Sequence, residues 1–203
     1  ANLAAAYDVD KKYDEEIQVL KKILMFAPED IELRSALSTA YFNSENYDEA
    51  LNHALCVIEL DEKDPQAYCN LGSCYAAQNM TDEAVEAFKK ATEIDPDYSL
   101  PHTNLGSLYA TIGRIEKAIK EFKLATSMNQ SDSLAWMNLY SCYKEVGRME
   151  DAQEAYKKYE SLMNQGPQAD NQTNIPGGVS STGQLASGGD LDTASPGMEE
   201  IPS

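Results

Sequence analysis

The feature that most constrains this chain is a set of residues that recurs every 34 positions. The segment 65–96 aligns with the segment 99–130 without a gap, and the same offset runs through residues 133–165 and back through residues 1–64. The alignment superposes Leu71, Gly72, Tyr75, Ala84, Phe88 and Ala91 on Leu105, Gly106, Tyr109, Ala118, Phe122 and Ala125. A period of this length indicates units that stack, because one unit is too small to bury its own apolar face.

Each unit is expected to fold as two helices joined by a short turn. Apolar residues recur at steps of three and four, which predicts two amphipathic helices, A and B, of about 12 to 15 residues each. Gly113 and Gly147 lie between helix A and helix B and are suited to the left-handed conformation that ends a helix. Prolines at Pro65 and Pro96 mark the turns between units.

Small residues indicate where helix A and helix B of one unit approach each other. Gly72 and Gly106 occupy the same slot of two units, with Ala84 and Ala118 on the opposing helix. In the last unit Tyr140 stands in the glycine slot. We therefore expect the last helix pair to pack differently from the others.

The pattern resembles the tetratricopeptide repeat (TPR), a family whose motif is an aromatic residue, Leu-Gly, Tyr, Ala, Phe, Ala and Pro. In this chain the motif is carried by Tyr68, Leu71, Gly72, Tyr75, Ala84, Phe88, Ala91 and Pro96. The resemblance implies an all-α fold, a right-handed superhelix (α-solenoid) with an inner wall of A helices. About five repeats are expected, the first truncated because Leu3 already takes the slot of Leu71. The expected TPR domain spans residues 1–165, with repeats at 1–30 (partial), 31–64, 65–98, 99–132 and 133–165.

The composition changes after the last repeat. Residues 166–203 hold seven of the eleven glycines, four of the eight prolines, five acidic residues and no lysine or arginine. Such a segment has too few apolar residues to build a core. The sequence therefore predicts a disordered, acidic, Gly/Ser/Pro-rich tail over 166–203.

The charge balance excludes some partners. The chain carries 34 acidic against 16 basic residues, a formal net charge of −18, which repels nucleic acid and anionic lipid surfaces. No apolar run approaches the roughly 20 residues of a membrane span, and no export signal is evident at the start. The four cysteines form no CxxC pair, so we expect reduced thiols and favour a cytoplasmic location.

The sequence shows no motif or spacing of residues that is typical of an enzyme active site. No phosphate-binding loop, zinc-protease or nucleophile-elbow motif occurs, and His53 and His102 stand apart from other metal-ligating residues. Cys74 and Cys142 share one slot of the repeat and are expected to pack in the core. The sequence thus predicts a protein that is not an enzyme and that holds no cofactor or metal.

The resemblance also implies which residues line the groove, because in TPR proteins these come from fixed slots of the A helices. One row is Asn70, Asn104 and Asn138, continued at Asn2 and broken at Ala36, and a second row is Thr39, Ser73, Ser107 and Ser141. The flanking candidates are Gln66, Leu100, Thr103, Leu134 and Met137. Arg34 and Lys144 are the only basic residues on helices A2 to A5, whereas TPRs that clamp acidic chain ends use several, so that use is disfavoured.

The asparagine row resembles the asparagine ladder in the TPR superhelix of O-linked N-acetylglucosamine transferase, in which amides hold a peptide backbone. An asparagine offers one acceptor and two donors, enough to pair with the N–H and the C=O of one peptide unit. The alternative is that each asparagine bonds to a neighbouring helix and links the repeats.

Three functions remain open at this stage. The first is an adaptor that binds an extended, neutral-to-basic protein segment in its groove. The second is a scaffold that forms homo-oligomers, either through the terminal repeats, where Tyr156, Tyr159, Leu162 and Met163 are expected to be partly exposed, or through the tail. The third is the non-catalytic repeat portion of a larger enzyme.

Overall fold

The fold is described from a computed structural model that covers the backbone of residues 2–164 and the side chains from Lys12 to Asn164. Nine α-helices and no strand occur within this range. They are α1 (Asn2–Leu24), α2 (Ile31–Asn43), α3 (Tyr47–Leu60), α4 (Pro65–Ala77), α5 (Thr81–Ile94), α6 (Leu100–Thr111), α7 (Ile115–Met128), α8 (Ser133–Glu145) and α9 (Met149–Asn164). The tail predicted over 166–203 lies outside the described residues.

The helices pair as hairpins, and the hairpins stack. The pairs α2–α3, α4–α5, α6–α7 and α8–α9 each form a hairpin of one A helix and one B helix. Consecutive A helices contact each other, whereas no two of the B helices α3, α5, α7 and α9 do. The A helices therefore form a continuous inner wall, and clefts separate the B helices on the outer side. The all-α TPR solenoid predicted from the sequence is confirmed.

Aspartates begin most of the A helices. Asp30 accepts a hydrogen bond from the Leu33 N–H at 3.0 Å, and Asp132 accepts one from the Ala135 N–H at 2.9 Å. Asp64 precedes Pro65, the first residue of α4, and caps two further amides of that helix. Each such cap contributes about 1 kcal/mol because it pairs amides that have no partner within the helix.

The turn between helix A and helix B uses the same backbone conformation in four units. Glu45, Asn79, Gly113 and Gly147 have φ angles of 60°, 62°, 73° and 76°, and they lie 34 residues apart. The prediction for Gly113 and Gly147 is confirmed. The sequence did not indicate that Glu45 would adopt a left-handed conformation, which disfavours side chains with a Cβ.

The first unit differs from the expected truncated hairpin. Its helix α1 runs without interruption from Asn2 to Leu24, through Lys11, which stands in the slot where the other units turn. Lysine favours a helix interior, and the neighbouring Asp10 and Lys12 supply no glycine or asparagine to start a left-handed turn. Helix A and helix B of this unit are therefore one continuous helix.

Glycine and phenylalanine pack closely against each other within two of the hairpins. Phe88 and Phe122 are fully buried. A Cβ added to Gly72 would lie 2.7 Å from the Phe88 ring, and one added to Gly106 would lie 2.7 Å from the Phe122 ring. Only glycine leaves room for these rings, so the two slots set the distance between helix A and helix B.

The last hairpin packs differently, as the sequence predicted. Tyr140 takes the glycine slot, and the facing slot holds Tyr156 in place of phenylalanine. The two rings contact each other with centroids 5.2 Å apart, and Tyr156 also contacts Tyr159 at 6.1 Å. Because Tyr140 occupies the space that glycine leaves open, Tyr156 stays 40% exposed, whereas Phe88 and Phe122 are fully buried.

Substituting alanine for Gly72 tests this contact. Gly72→Ala is expected to lower the free energy of unfolding by about 1–3 kcal/mol, because the new methyl group overlaps the buried Phe88 ring. The loss is expected even though alanine favours a helix interior by about 1 kcal/mol over glycine. Urea unfolding followed by circular dichroism measures it.

Gly113→Asn is the matched control. Asparagine already holds the equivalent slot at Asn79 with a positive φ, and nothing lies within 4 Å of a Cβ at Gly113, so its stability should stay near that of the wild type. A Gly72→Ala protein as stable as the wild type contradicts the proposed role of the glycine slot.

Candidate binding groove

The structure places the twelve candidate groove residues at different depths in the inner wall. Leu134 is the most open, at 47% exposed. The partly buried candidates are Thr39, Gln66, Asn70, Leu100, Met137, Asn138 and Ser141. Ser73, Thr103, Asn104 and Ser107 are buried, with Thr103 and Asn104 each 1% exposed. All twelve candidates lie on the A helices α2, α4, α6 and α8, but four of them are buried.

The amide of Asn104 joins two A helices. Its Nδ2 donates a hydrogen bond to the Ser73 Oγ at 3.3 Å and lies 3.5 Å from the Cys69 Sγ, both on α4. One repeat later the Asn138 Nδ2 donates to the Ser107 Oγ at 3.4 Å. In both cases the amide reaches back 31 residues to the preceding A helix, so these two asparagines link neighbouring repeats.

The amide of Asn70 is in a different situation. The residue 31 positions earlier is Thr39, whose hydroxyl donates to the Ser35 carbonyl oxygen at 3.1 Å and accepts no bond from Asn70. The buried Nδ2 of Asn70 has no hydrogen-bond partner among the described residues, and the buried Oδ1 of Asn104 has none either. An unpaired donor and an unpaired acceptor thus lie on the adjacent helices α4 and α6.

Hydroxyl groups beside the asparagines bond within their own helix. Ser73, Ser107 and Ser141 each donate to the carbonyl oxygen four residues earlier, at 3.0 to 3.1 Å. Thr103 instead donates to the Asp132 carboxylate at 2.8 Å, the same aspartate that caps α8. The Thr103 hydroxyl therefore connects α6 to the start of the next A helix.

The two basic residues of the inner helices both contact the protein itself. The Arg34 guanidinium donates to the Pro28 carbonyl oxygen, at 2.9 Å from Nε. The Lys144 ammonium lies 5.2 Å from the centre of the Tyr140 ring. Neither basic residue is left without a contact.

Cysteine and histidine are held in unreactive settings. Cys69, Cys74 and Cys142 are buried, as predicted for Cys74 and Cys142. Burial raises the pKa of the Cys69 and Cys74 thiols to about 12 and that of Cys142 to about 11, which keeps all three protonated. His53 stacks on Tyr41 with ring centroids 5.6 Å apart, and burial lowers its pKa.

Metal ligands and membrane spans were sought in the same part of the chain. Across the described residues, no group of three or more His, Cys, Asp and Glu side chains is placed to hold a metal ion. His102 contacts only one carboxylate, that of Glu121, at 2.8 Å from its Nδ1. No helix between residues 2 and 164 is long and apolar enough to cross a membrane.

A cleft on the outer side was not foreseen from the sequence. It has a volume of about 400 Å³ and lies between α7 and α9, with α8 as its floor. Trp136 and Leu139 lie at the floor, and Ala155 lies on the α9 wall. One repeat earlier, the slots of Trp136 and Ala155 hold His102 and Glu121, whose side chains contact each other at 2.8 Å. The sequence could have indicated this cleft, because an aromatic and a small residue replace that pair in the last repeat.

Because Asn104 bonds to the preceding A helix and the Nδ2 of Asn70 does not, we expect opposite effects when each is replaced by alanine. Asn104→Ala is expected to lower the free energy of unfolding by about 1–2 kcal/mol, because it removes the bond between α6 and α4. Asn70→Ala removes a buried donor that has no partner and places a better helix former in α4, so its stability should equal or exceed that of the wild type.

Urea unfolding of the two variants and the wild type provides the measurement. Equal losses for Asn70→Ala and Asn104→Ala would show that both amides link repeats, against the distinction drawn from their hydrogen bonds.

Comparison with known proteins identifies the repeat. Two family models described as tetratricopeptide repeats match residues 65–98 and 87–120. None of the curated proteins matches the chain significantly.

Solved structures share the fold at low sequence identity. The crystal structure of MamA matches with a TM-score of 0.63 at 23% identity, over 75% of this chain and 90% of that one. A second MamA structure, labelled AMB-1, matches at 0.55 and 21%, over 83% and 96%. A thermophilic TPR protein from Thermus thermophilus matches at 0.67 and 20%, over 83% and 90%. With its repeat motif, its stacked hairpins and these matches, the chain contains tetratricopeptide repeats over residues 65–120 and shares the fold of these solved TPR structures.

Proposed function

We propose that this protein is an adaptor that binds an extended segment of a partner protein along the inner wall of A helices. The observation that carries the proposal is the buried Nδ2 of Asn70, which has no hydrogen-bond partner within residues 12–164, whereas the equivalent Nδ2 atoms of Asn104 and Asn138 each donate to a serine. A buried polar group without a partner costs about 1–3 kcal/mol. A ligand that pairs it recovers that free energy.

The unpaired atoms match the chemistry of a peptide backbone. The Asn70 Nδ2 is a donor for a peptide C=O, and the Asn104 Oδ1 is an acceptor for a peptide N–H. Both atoms are buried, so each meets a ligand through a bridging water or after rotation of its side chain. Asn70 is the less buried residue of the two and is therefore the primary contact, and Asn104 supports it from the second helix.

Apolar side chains extend the proposed site towards α8. Leu134, 47% exposed, and the partly buried Leu100 and Met137 are placed on α6 and α8. Burying a large apolar side chain contributes about 1.5–3 kcal/mol. The preferred segment would thus carry an apolar residue beside the part of its backbone that meets Asn70.

The charge of the protein suits a neutral-to-basic partner. The net charge of −18 attracts cationic segments and raises their association rate more than their final affinity. The four cysteines are unpaired, which is compatible with a reducing compartment such as the cytoplasm.

Binding of short peptides tests the groove. Peptides selected from a random display library on the full chain should bind Asn70→Ala about tenfold more weakly than the wild type, because the donor is lost while the fold is retained. Fluorescence anisotropy of a labelled selected peptide gives both dissociation constants, and raising the salt concentration should slow association.

The matched control is Gln78→Ala, at the C-cap of the same helix α4, where the Gln78 side chain donates a hydrogen bond to Asp48. Its affinity for the peptide should equal that of the wild type. If Asn70→Ala also binds with wild-type affinity, the amide is not part of the site.

Self-association is a second candidate function, favoured by exposed apolar side chains in two places. Met25 and Phe26, in the loop between α1 and α2, are 80% and 90% exposed. On α9, Tyr156 and Met163 are 40% and 59% exposed. Contact between one surface of one copy and the other surface of the next would be head-to-tail and would extend with concentration.

Replacing the loop residues tests this candidate. If the chain self-associates, multi-angle light scattering should show a molar mass that rises with concentration for the wild type and stays monomeric for Met25→Ser/Phe26→Ser. The control is Leu60→Ser, 34 residues after Phe26 and also exposed, which should behave as the wild type. A wild-type protein that stays monomeric at high concentration removes this candidate.

A further inference from the structure

The outer cleft between α7 and α9 has the shape and chemistry of a docking site. Its volume of about 400 Å³ lies within the range of sites that take a small apolar group. The floor residue Trp136 is partly exposed, and its indole N–H donates to the Gln130 carbonyl oxygen at 3.0 Å, which fixes the ring. A fixed, partly exposed aromatic floor gains stability when an apolar side chain covers it.

The walls of the cleft carry unpaired positive charge. Lys123 lies on the α7 wall and Lys158 on the α9 wall, and neither forms an ion pair within residues 12–164. Of the two carboxylates at the cleft, Asp151 is paired with Arg148 at 2.7 Å. Glu154 remains, so the unpaired charges of the cleft sum to about +1 in a chain whose total is −18.

The chain itself contains a segment that complements the cleft. The 39 residues from 165 to 203 hold two leucines, and their neighbours differ. Leu191 lies between Asp190 and Asp192, whereas Leu185 lies between the uncharged Gln184 and Ala186. An apolar side chain flanked by two carboxylates matches an apolar floor flanked by two lysines.

We propose that the segment Asp190–Asp192 docks in this cleft of its own chain, with Leu191 on Trp136 and the two aspartates beside Lys123 and Lys158. The proposal concerns the outer side of the solenoid and is independent of the groove on the inner wall. When docked, the segment would shield Trp136 and the apolar floor of the cleft from other proteins.

The length of the connection permits this contact. Helix α9 places Glu154 and Lys158 ten and six residues before Asn164, which is about 9–15 Å along the helix. The 26 residues from Asn164 to Asp190 could reach at most about 86–94 Å, far more than this distance, so the length of the chain allows the segment to return to the cleft. A tether of this length gives an effective concentration in the millimolar range, which lets a weak contact be well occupied.

Trp136 is the only tryptophan and reports on the cleft directly. In the full chain, Leu191→Ser should raise acrylamide quenching of the Trp136 fluorescence about twofold, because the covering side chain is lost. Asp190→Asn/Asp192→Asn and Lys123→Glu/Lys158→Glu should each raise it as well, and added salt should raise it for the wild type. Circular dichroism checks that the helices are intact in each variant.

Leu185→Ser is the matched control, and acrylamide should quench its Trp136 fluorescence to the same extent as in the wild type. The proposal would be overturned by equal quenching of Trp136 in Leu191→Ser and in the wild type, or by a rise in Leu185→Ser as large as that in Leu191→Ser. Protection of Trp136 that disappears on dilution would also overturn it, because the occupant would then come from a second copy.

Discussion

The whole structure depends on the apolar surface that a single helical hairpin leaves uncovered. An A and a B helix bury part of that surface against each other, and the next A helix covers the rest, as the contacts of α5 with α6 and of α7 with α8 show. Stability is therefore shared between each hairpin and its neighbours. The close contact of Gly72 with Phe88 matters because it brings the two helices near enough for one further helix to cover both. This requirement also produces the inner wall and the outer clefts.

The fold could be predicted well from the repeat motif because each residue of the motif has one structural role. Three features can be read directly from the sequence because they are local: the apolar spacing, the left-handed turn at Gly113 and the small residue at Gly72. The continuous helix α1 was harder to foresee, because it depends on a turn that does not form at Lys11. The left-handed Glu45 was missed for the opposite reason, since the fold there imposes a turn on a residue that disfavours it.

The candidate site was less predictable than the fold. The sequence shows that Asn70 and Asn104 occupy equivalent slots, but not that one amide finds an acceptor and the other does not. That difference lies at the residue 31 positions earlier: the Ser73 hydroxyl accepts a bond from Asn104, whereas the Thr39 hydroxyl accepts none from Asn70, although both hydroxyls donate within their own helix. The outer cleft likewise depends on a pair of slots, Trp136 and Ala155, whose joint effect appears only when three helices are assembled.

The uneven distribution of the glycine–phenylalanine contact has a consequence for how the chain folds. The contact occurs in the hairpins α4–α5 and α6–α7, whereas Tyr140 replaces the glycine in the last hairpin and Ser38 replaces it in the first complete one. In a linear array, folding begins where a hairpin and its interface are jointly most stable and then spreads to both sides. The two central hairpins would thus form the folding nucleus, and the outer ones would open first when the chain is stressed.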